Sequence, residues 1–131
     1  MLRRHVALVA LLVSPILALS NGCIAFLALG AGGAAGAVAY VRGELQVTLD
    51  QSIDACRTAT AKAVESLQLK KKSEVGDAVC ATFELENAQG TAIVIKLERV
   101  TDTTTRLAIR VGTFGDQNMS QRILDEIKSH L

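Results

Sequence analysis

The sequence predicts an α+β domain of order β-α-β-β-β-β-α: an antiparallel five-stranded sheet with two helices on one face, preceded by a signal and anchor segment. Three observations lead there. Beyond Arg42, five stretches alternate apolar and polar residues. Two further stretches repeat apolar residues at steps of three and four. The only formal charges before Arg42 are Arg3 and Arg4, so the chain changes composition sharply at that point.

With 131 residues the chain has room for one small domain with one core. Arg3 and Arg4 form a positive start, Val6 to Leu19 an apolar stretch, and Ser20, Asn21 and Gly22 a small or polar exit, the order of an export signal. A plain secretory signal needs no cysteine, whereas a lipoprotein signal does. Small residues let the peptidase approach, and the thiol of Cys23 takes the diacylglycerol that, with palmitate or a similar acyl chain, anchors the mature protein. Residues 1–22 are therefore predicted as a lipoprotein signal peptide and Cys23 as the lipidation site, although Leu19 stands four residues before the cysteine where the usual pattern has three. The competing reading is an uncleaved membrane helix with an incidental thiol. Cleavage before Cys23 leaves 109 residues with 12 basic and 13 acidic side chains. That balance, with almost no aromatics, offers neither the phosphate-neutralising surface nor the stacking platforms of a nucleic-acid binder.

Residues 23–41 follow as an Ala/Gly-rich tether or a membrane helix. Ile24 to Val41 is an uninterrupted run of 18 apolar residues and glycines, with Gly32 and Gly36 in the G-x-x-x-G spacing that lets helices approach in lipid. Either reading puts the folded domain at residues 42–131. A chain beginning at Arg42 is expected to keep every strand and both helices.

The first strand is read from Leu45, Val47 and Leu49 alternating with Glu44, Gln46 and Thr48. Asp50 then caps a helix whose apolar stripe is Ile53, Cys56, Thr60, Ala63, Val64 and Leu67. Four strands follow over Leu69 to Val75, Ala78 to Glu86, Thr91 to Val100 and Thr104 to Val111. Phe83 and Leu85, then Ile93, Ile95 and Leu97, then Leu107 and Ile109 mark one buried face, and the opposite face is charged. Gly112 to Gly115 breaks the last strand, Asp116 caps, and Met119, Ile123, Ile127 and Leu131 run down a closing helix at four-residue steps.

Hairpin chemistry sets the register. Ala88-Gln89-Gly90 fits a three-residue loop with Gly90 in the left-handed conformation, which places Leu85 opposite Ile93 and Phe83 opposite Ile95. A two-residue loop would pair inward with outward residues. A three-residue loop at Thr101-Asp102-Thr103 likewise makes Glu98 and Arg106 outward neighbours.

The stretches YVRGEL (Tyr40 to Leu45), IKLE (Ile95 to Glu98) and RVGTFGD with RIL beyond (Arg110 to Leu124) resemble the bacterial lipoprotein family known as domain of unknown function 3568. The likeness extends over nearly the whole chain. It implies a lipoprotein signal, an Ala/Gly-rich stretch and a small domain of this layout at the cell envelope, and it brings no catalytic residue. Ile24 stands where an Asp marks inner-membrane retention in enterobacterial-type sorting, so the resemblance implies the outer membrane, facing the periplasm.

Chemistry is sparse. GTFGD ends at a helix amino terminus, where an anion is favoured, but Asp116 at the cap would repel phosphate, and the loop reads first as a strand terminator. The domain's one histidine is the near-terminal His130, so no metal cluster and no histidine-based dyad assembles. The chain is expected to be no enzyme and to hold no metal or cofactor. Cys56 sits on the buried helix stripe while Cys80 shares parity with outward Thr82 and Glu84, so no disulfide is expected between them. Lys70, Lys71 and Lys72 read as protection of an edge strand, with contact to anionic headgroups as the alternative. Glu84, Lys96, Glu98, Arg106 and Arg110 form a solvated sheet face and the candidate partner face. The expected role is that of a lipid-anchored envelope protein with a structural or protein-interaction function, its partners being the membrane and an unidentified protein. The alternatives are a periplasmic module holding a small apolar ligand beside Ala59, Ala63 and Ala81, or a protein anchored by an uncleaved membrane helix.

Overall fold

The computed structural model describes residues 36–131. The signal peptide, Cys23 and the tether as far as residue 35 lie outside the described residues. The elements are β1 (Val38–Val41), β2 (Glu44–Leu49), α1 (Ile53–Ser66), β3 (Lys70–Gly76), β4 (Cys80–Glu86), β5 (Ala92–Thr101), β6 (Thr104–Val111) and α2 (Gln117–Ser129). The sheet runs β1-β2-β6-β5-β4-β3 with every neighbouring pair antiparallel. β3 to β6 form a meander that returns to β2. α1 carries the chain across from β2 to the far edge, where β3 starts.

The sheet has six strands, not the expected five. The additional one is β1, which takes the last four residues of the apolar run assigned to a tether or helix. Arg42 and Gly43 both have positive φ, 52° and 81°, the pattern of a type I′ turn whose twist suits a hairpin. Val38 pairs with Val47 and Tyr40 with Leu45, and Tyr40 packs on the edge of the core. Gly36 has φ 89° and donates its N–H to Thr48 O at 2.8 Å, so it belongs to the hairpin and not to a helix face. The G-x-x-x-G reading therefore fails at its second glycine. That leaves Ile24 to Ala37, 14 residues, of the apolar run ahead of the strand.

β2 and β6 have the predicted bounds, and the β4–β5 hairpin has the predicted register, with Leu85 facing Ile93 and Phe83 facing Ile95. Gly90 takes φ 80° as its loop position requires. The β5–β6 connection reaches the expected pairing of Glu98 with Arg106 by another route. Thr101 pairs with Thr104 across a two-residue tip, and a bulge at Val100 restores the register. Ser52, not Asp50, caps α1, its Oγ accepting from Ala55 N–H at 3.3 Å. Asp116 caps α2 as expected, accepting from Met119 N–H at 3.0 Å.

One core joins both helices to the inner face of the sheet. α2 lies against β2 and β6, α1 against β5 and β6, and the helices touch each other. Inward positions of β2, β4, β5 and β6 are buried almost without exception, and α1 adds Ile53, Cys56, Ala59, Ala63 and Val64. α2 contributes Ile123 and Ile127 as read, together with Leu124 and Ser120, while Leu131 lies beyond the helix and is exposed.

The β1–β2 turn meets the β6–α2 loop through two glycines. A Cβ on Gly115 would collide with Gly43 and with the Tyr40 hydroxyl, and one on Gly43 would strike the backbone of Phe114. Gly115 also has φ 86°. Gly115→Ala is therefore expected to lose clearly more stability in urea than Gly90→Ala. The latter faces open space and costs only the left-handed conformation, about 1–2 kcal/mol. Because β1 is part of the sheet, a chain beginning at Arg42 should unfold at lower urea than one beginning at Gly36, correcting the expectation that the shorter piece is complete.

Candidate interaction face

Alternation that sends the apolar residues inward sends the partner-face candidates outward, and antiparallel pairing lines them up in rows across the strands. The first row reads Ser73, Glu84, Val94, Arg110, Glu44 and Val41. The second reads Val75, Thr82, Lys96, Ala108, Gln46 and Ala39, and the third Cys80, Glu98, Arg106 and Thr48. All five predicted residues, Glu84, Lys96, Glu98, Arg106 and Arg110, thus share the open face. The expectation of a charged face holds for its two outer rows, whereas the middle row is small and neutral apart from Lys96. Alternation could have identified Thr82, Val94 and Ala108 as members, but they carry no charge to draw attention to them.

Most of the charge is already engaged sideways. Arg106 Nη1 lies 3.3 Å from Glu98 Oε2. Glu84 accepts from Ser73 Oγ at 2.8 Å, and Arg110 Nη2 donates to Thr113 O at 3.1 Å. Gln46 Nε2 donates to Glu44 Oε1 at 2.7 Å. Lys96 alone of the five has no hydrogen-bond or ion-pair partner among the described residues. Flanked by Thr82 and Ala108, its ammonium stands on a shallow, weakly polar strip, a setting in which it can receive a carboxylate from outside.

The lysine run lies on β3, an edge strand, as its edge-protecting reading requires. The ladder shifts register around Lys72, Lys71 Nζ bonds Glu74 Oε2 at 3.0 Å, and Lys72 pairs with Glu86. Arg57 Nε on α1 also reaches Glu74 Oε1, at 2.9 Å. Hydrogen bonds from Lys71 and then Arg57 hold the Glu74 carboxyl below its ordinary range.

Most of the other chemical groups singled out in the sequence are buried or hydrogen-bonded. In GTFGD the helix terminus that an anion would use is filled by the carboxylate of Asp116. Cys56 is buried and Cys80 exposed, both are free thiols, and the sheet separates them, as strand parity predicts. Burial pushes the Cys56 thiol up, against a smaller opposing influence of the Thr105 hydroxyl. Asp77 accepts from the N–H groups of Val79 and Cys80 at 2.8 and 3.0 Å, which holds its carboxyl low. His130 Nε2 lies 3.2 Å from Glu126 Oε1, on the helix side of the molecule. No cluster of three metal-ligating side chains occurs among the described residues.

Residues 6–130 match the family described as protein of unknown function (DUF3568), and the chain belongs to that family. No curated protein matches it.

Two measurements check the electrostatics. Reversing Glu98 or Arg106 singly should shift stability by less than about 1 kcal/mol, with the double reversal restoring most of it. For Glu74 the folded-state value is depressed, so its contribution is present above the ordinary carboxylate range and is lost as pH falls through the lower, folded value. The stability gap between the native chain and Glu74→Gln should therefore be open at neutral pH and shrink on acidification below about pH 4. A gap that widened in acid would contradict the pairing.

Proposed function

We propose that this DUF3568 chain is a lipid-anchored protein of the bacterial envelope, held at the outer membrane on the periplasmic side, whose domain binds a protein partner through its open sheet face. Its role is structural or interactive and not enzymatic. The length of the apolar run carries the anchoring. With Val38–Val41 taken into the sheet, the run after Cys23 is too short to cross a bilayer, and no helix among the described residues is long and apolar enough to cross one. A thiol following an export-type stretch, with a short Ala/Gly-rich link before the domain, is the arrangement an acyl anchor uses. The twelve residues between Cys23 and Gly36 let the two lie at most about 47 Å apart when fully extended, so the anchor keeps the domain close to the membrane surface.

The interaction role draws support from the one-sided burial of the sheet. Helices cover the inner face only. The outer face offers Lys96 on a strip of mostly neutral side chains, bordered by rows whose charged side chains are already hydrogen-bonded to neighbours.

In cells, Cys23→Ala should accumulate full-length precursor and lose labelling by radioactive fatty acid. Normal processing with unchanged labelling would overturn the anchor. For the face, a zero-length amine–carboxylate crosslinker applied to native membranes should give an adduct lost in Lys96→Ala and kept in Lys62→Ala, whose lysine is exposed on α1. Equal loss in both variants, or in neither, would remove the face from the proposal.

A further inference from the structure

The two edges of the sheet are built differently. β3 carries three consecutive lysines and a bulge, devices that discourage another strand from pairing. β1, at the opposite edge, reads Val-Ala-Tyr-Val with no charge, no proline and no bulge against β2. The type I′ turn makes Val41 and Glu44 a hydrogen-bonded pair, and strict alternation then makes Ala39 and Gln46 the next one. The N–H and C=O groups of Val38 and Tyr40 consequently point away from β2, and no group among the described residues takes them.

We propose that the β1 edge pairs with the β1 edge of a second copy, giving a twofold antiparallel junction centred on Ala39 and one continuous sheet through both molecules. The register follows from the hydrogen-bonding groups. Val38 opposite Tyr40 of the second copy, and Tyr40 opposite its Val38, exchanges four backbone hydrogen bonds and leaves Ala39 facing Ala39 as the close, non-hydrogen-bonded pair. On the inner face each exposed Val38 lies across from a Tyr40 ring, which covers apolar surface that the helices leave bare. On the outer face Ala39 meets Ala39, with Val41 opposite Ala37 on either side. No charge opposes a like charge anywhere in this register, whereas β3 set against its own copy would bring lysines together. Three paired residues from each β1 make a small junction, and here the inference rests on the anchored reading. Copies held within a tether's length of one membrane meet at a high effective concentration, and the short edge needs that help.

The test uses the full-length chain with Cys80→Ser to remove the exposed thiol. Ala39→Cys in that background should form a disulfide-linked dimer on mild oxidation in membranes, because a non-hydrogen-bonded pair has Cα atoms about 4.5 Å apart, within the range a disulfide spans. Val41→Cys should not, since its counterpart in this register lies four residues away, about 13 Å along the strand. Val38→Pro removes an outward N–H that β2 does not use and should abolish the Ala39→Cys link while leaving the unfolding midpoint of the chain nearly unchanged. Equal crosslinking at positions 39 and 41, or none above the Cys80→Ser parent, would overturn the proposal. A position-39 link that persists while Cys23→Ala shows normal processing and labelling would sustain the pairing and sink the anchor instead.

Discussion

The pairing of β6 with β2 is the contact on which the rest of the molecule depends. The strands from β3 to β6 are joined by short turns and close on one another locally. Only when β6 meets β2 does the segment that begins the domain become part of the same sheet. Leu45 lies opposite Ile109 and Val47 opposite Leu107, all inward. A slip of one residue would send Glu44, Gln46 and Thr48 into the core, so the register is held by burial itself. Thr105, buried at the end of this ladder, donates its hydroxyl to Gln51 O at 2.8 Å and fastens the start of the α1 crossover. α2, which follows β6, then packs over the β2–β6 seam and protects it from water.

One-sided burial decides the chemistry of everything else. The inner face removes Cys56 from reaction by enclosing it, while the outward parity that Cys80 shares with Thr82 and Glu84 on β4 puts it in solvent on the far side of the sheet. The outer face keeps its ions in water, where sideways pairs such as Glu98 with Arg106 contribute little to stability but fix the position of the side chains the face presents. A fold of this kind separates its stabilising residues from its presenting residues almost completely.

Much of this was legible in the amino-acid order because period-two alternation is unambiguous where one face is buried and the other wet. Glu44 to Leu49 and Thr104 to Val111 needed nothing more, and Gly90 settled the β4–β5 register through the conformation that only glycine adopts cheaply. β1 escaped for the opposite reason. Val-Ala-Tyr-Val has no polar alternation, since Ala39 and Val41 face outward without charge, and it continues the apolar run that precedes it. Its turn is Arg-Gly, and a left-handed arginine leaves no signal of the strength of Asn-Gly. The α1 cap was misplaced at Asp50 because Ser52, two residues on, is as good a cap by residue type and is the one the helix uses. On the open face the charged members could be named one by one. Their grouping into two engaged rows and one lone lysine depends on partners such as Ser73 and Thr113, which no periodicity reveals.

The stretches YVRGEL and RVGTFGD, far apart in the chain, turn out to be one place in the structure. Gly43 approaches the backbone of Phe114, and the Tyr40 hydroxyl and Gly43 together leave no room for a side chain at Gly115. Both glycines also take left-handed φ, so each position excludes a side chain on two separate grounds. The contact ties the β1–β2 turn to the residue just before Asp116, which caps α2. β1 is thereby held at its turn end by the loop that starts the closing helix and at its other end by the bond from Gly36 to Thr48. An edge strand of four residues would fray if only its ladder to β2 secured it. Clamped at both ends, it keeps the outward groups of Val38 and Tyr40 in a fixed line, the condition under which a short edge can act as a template.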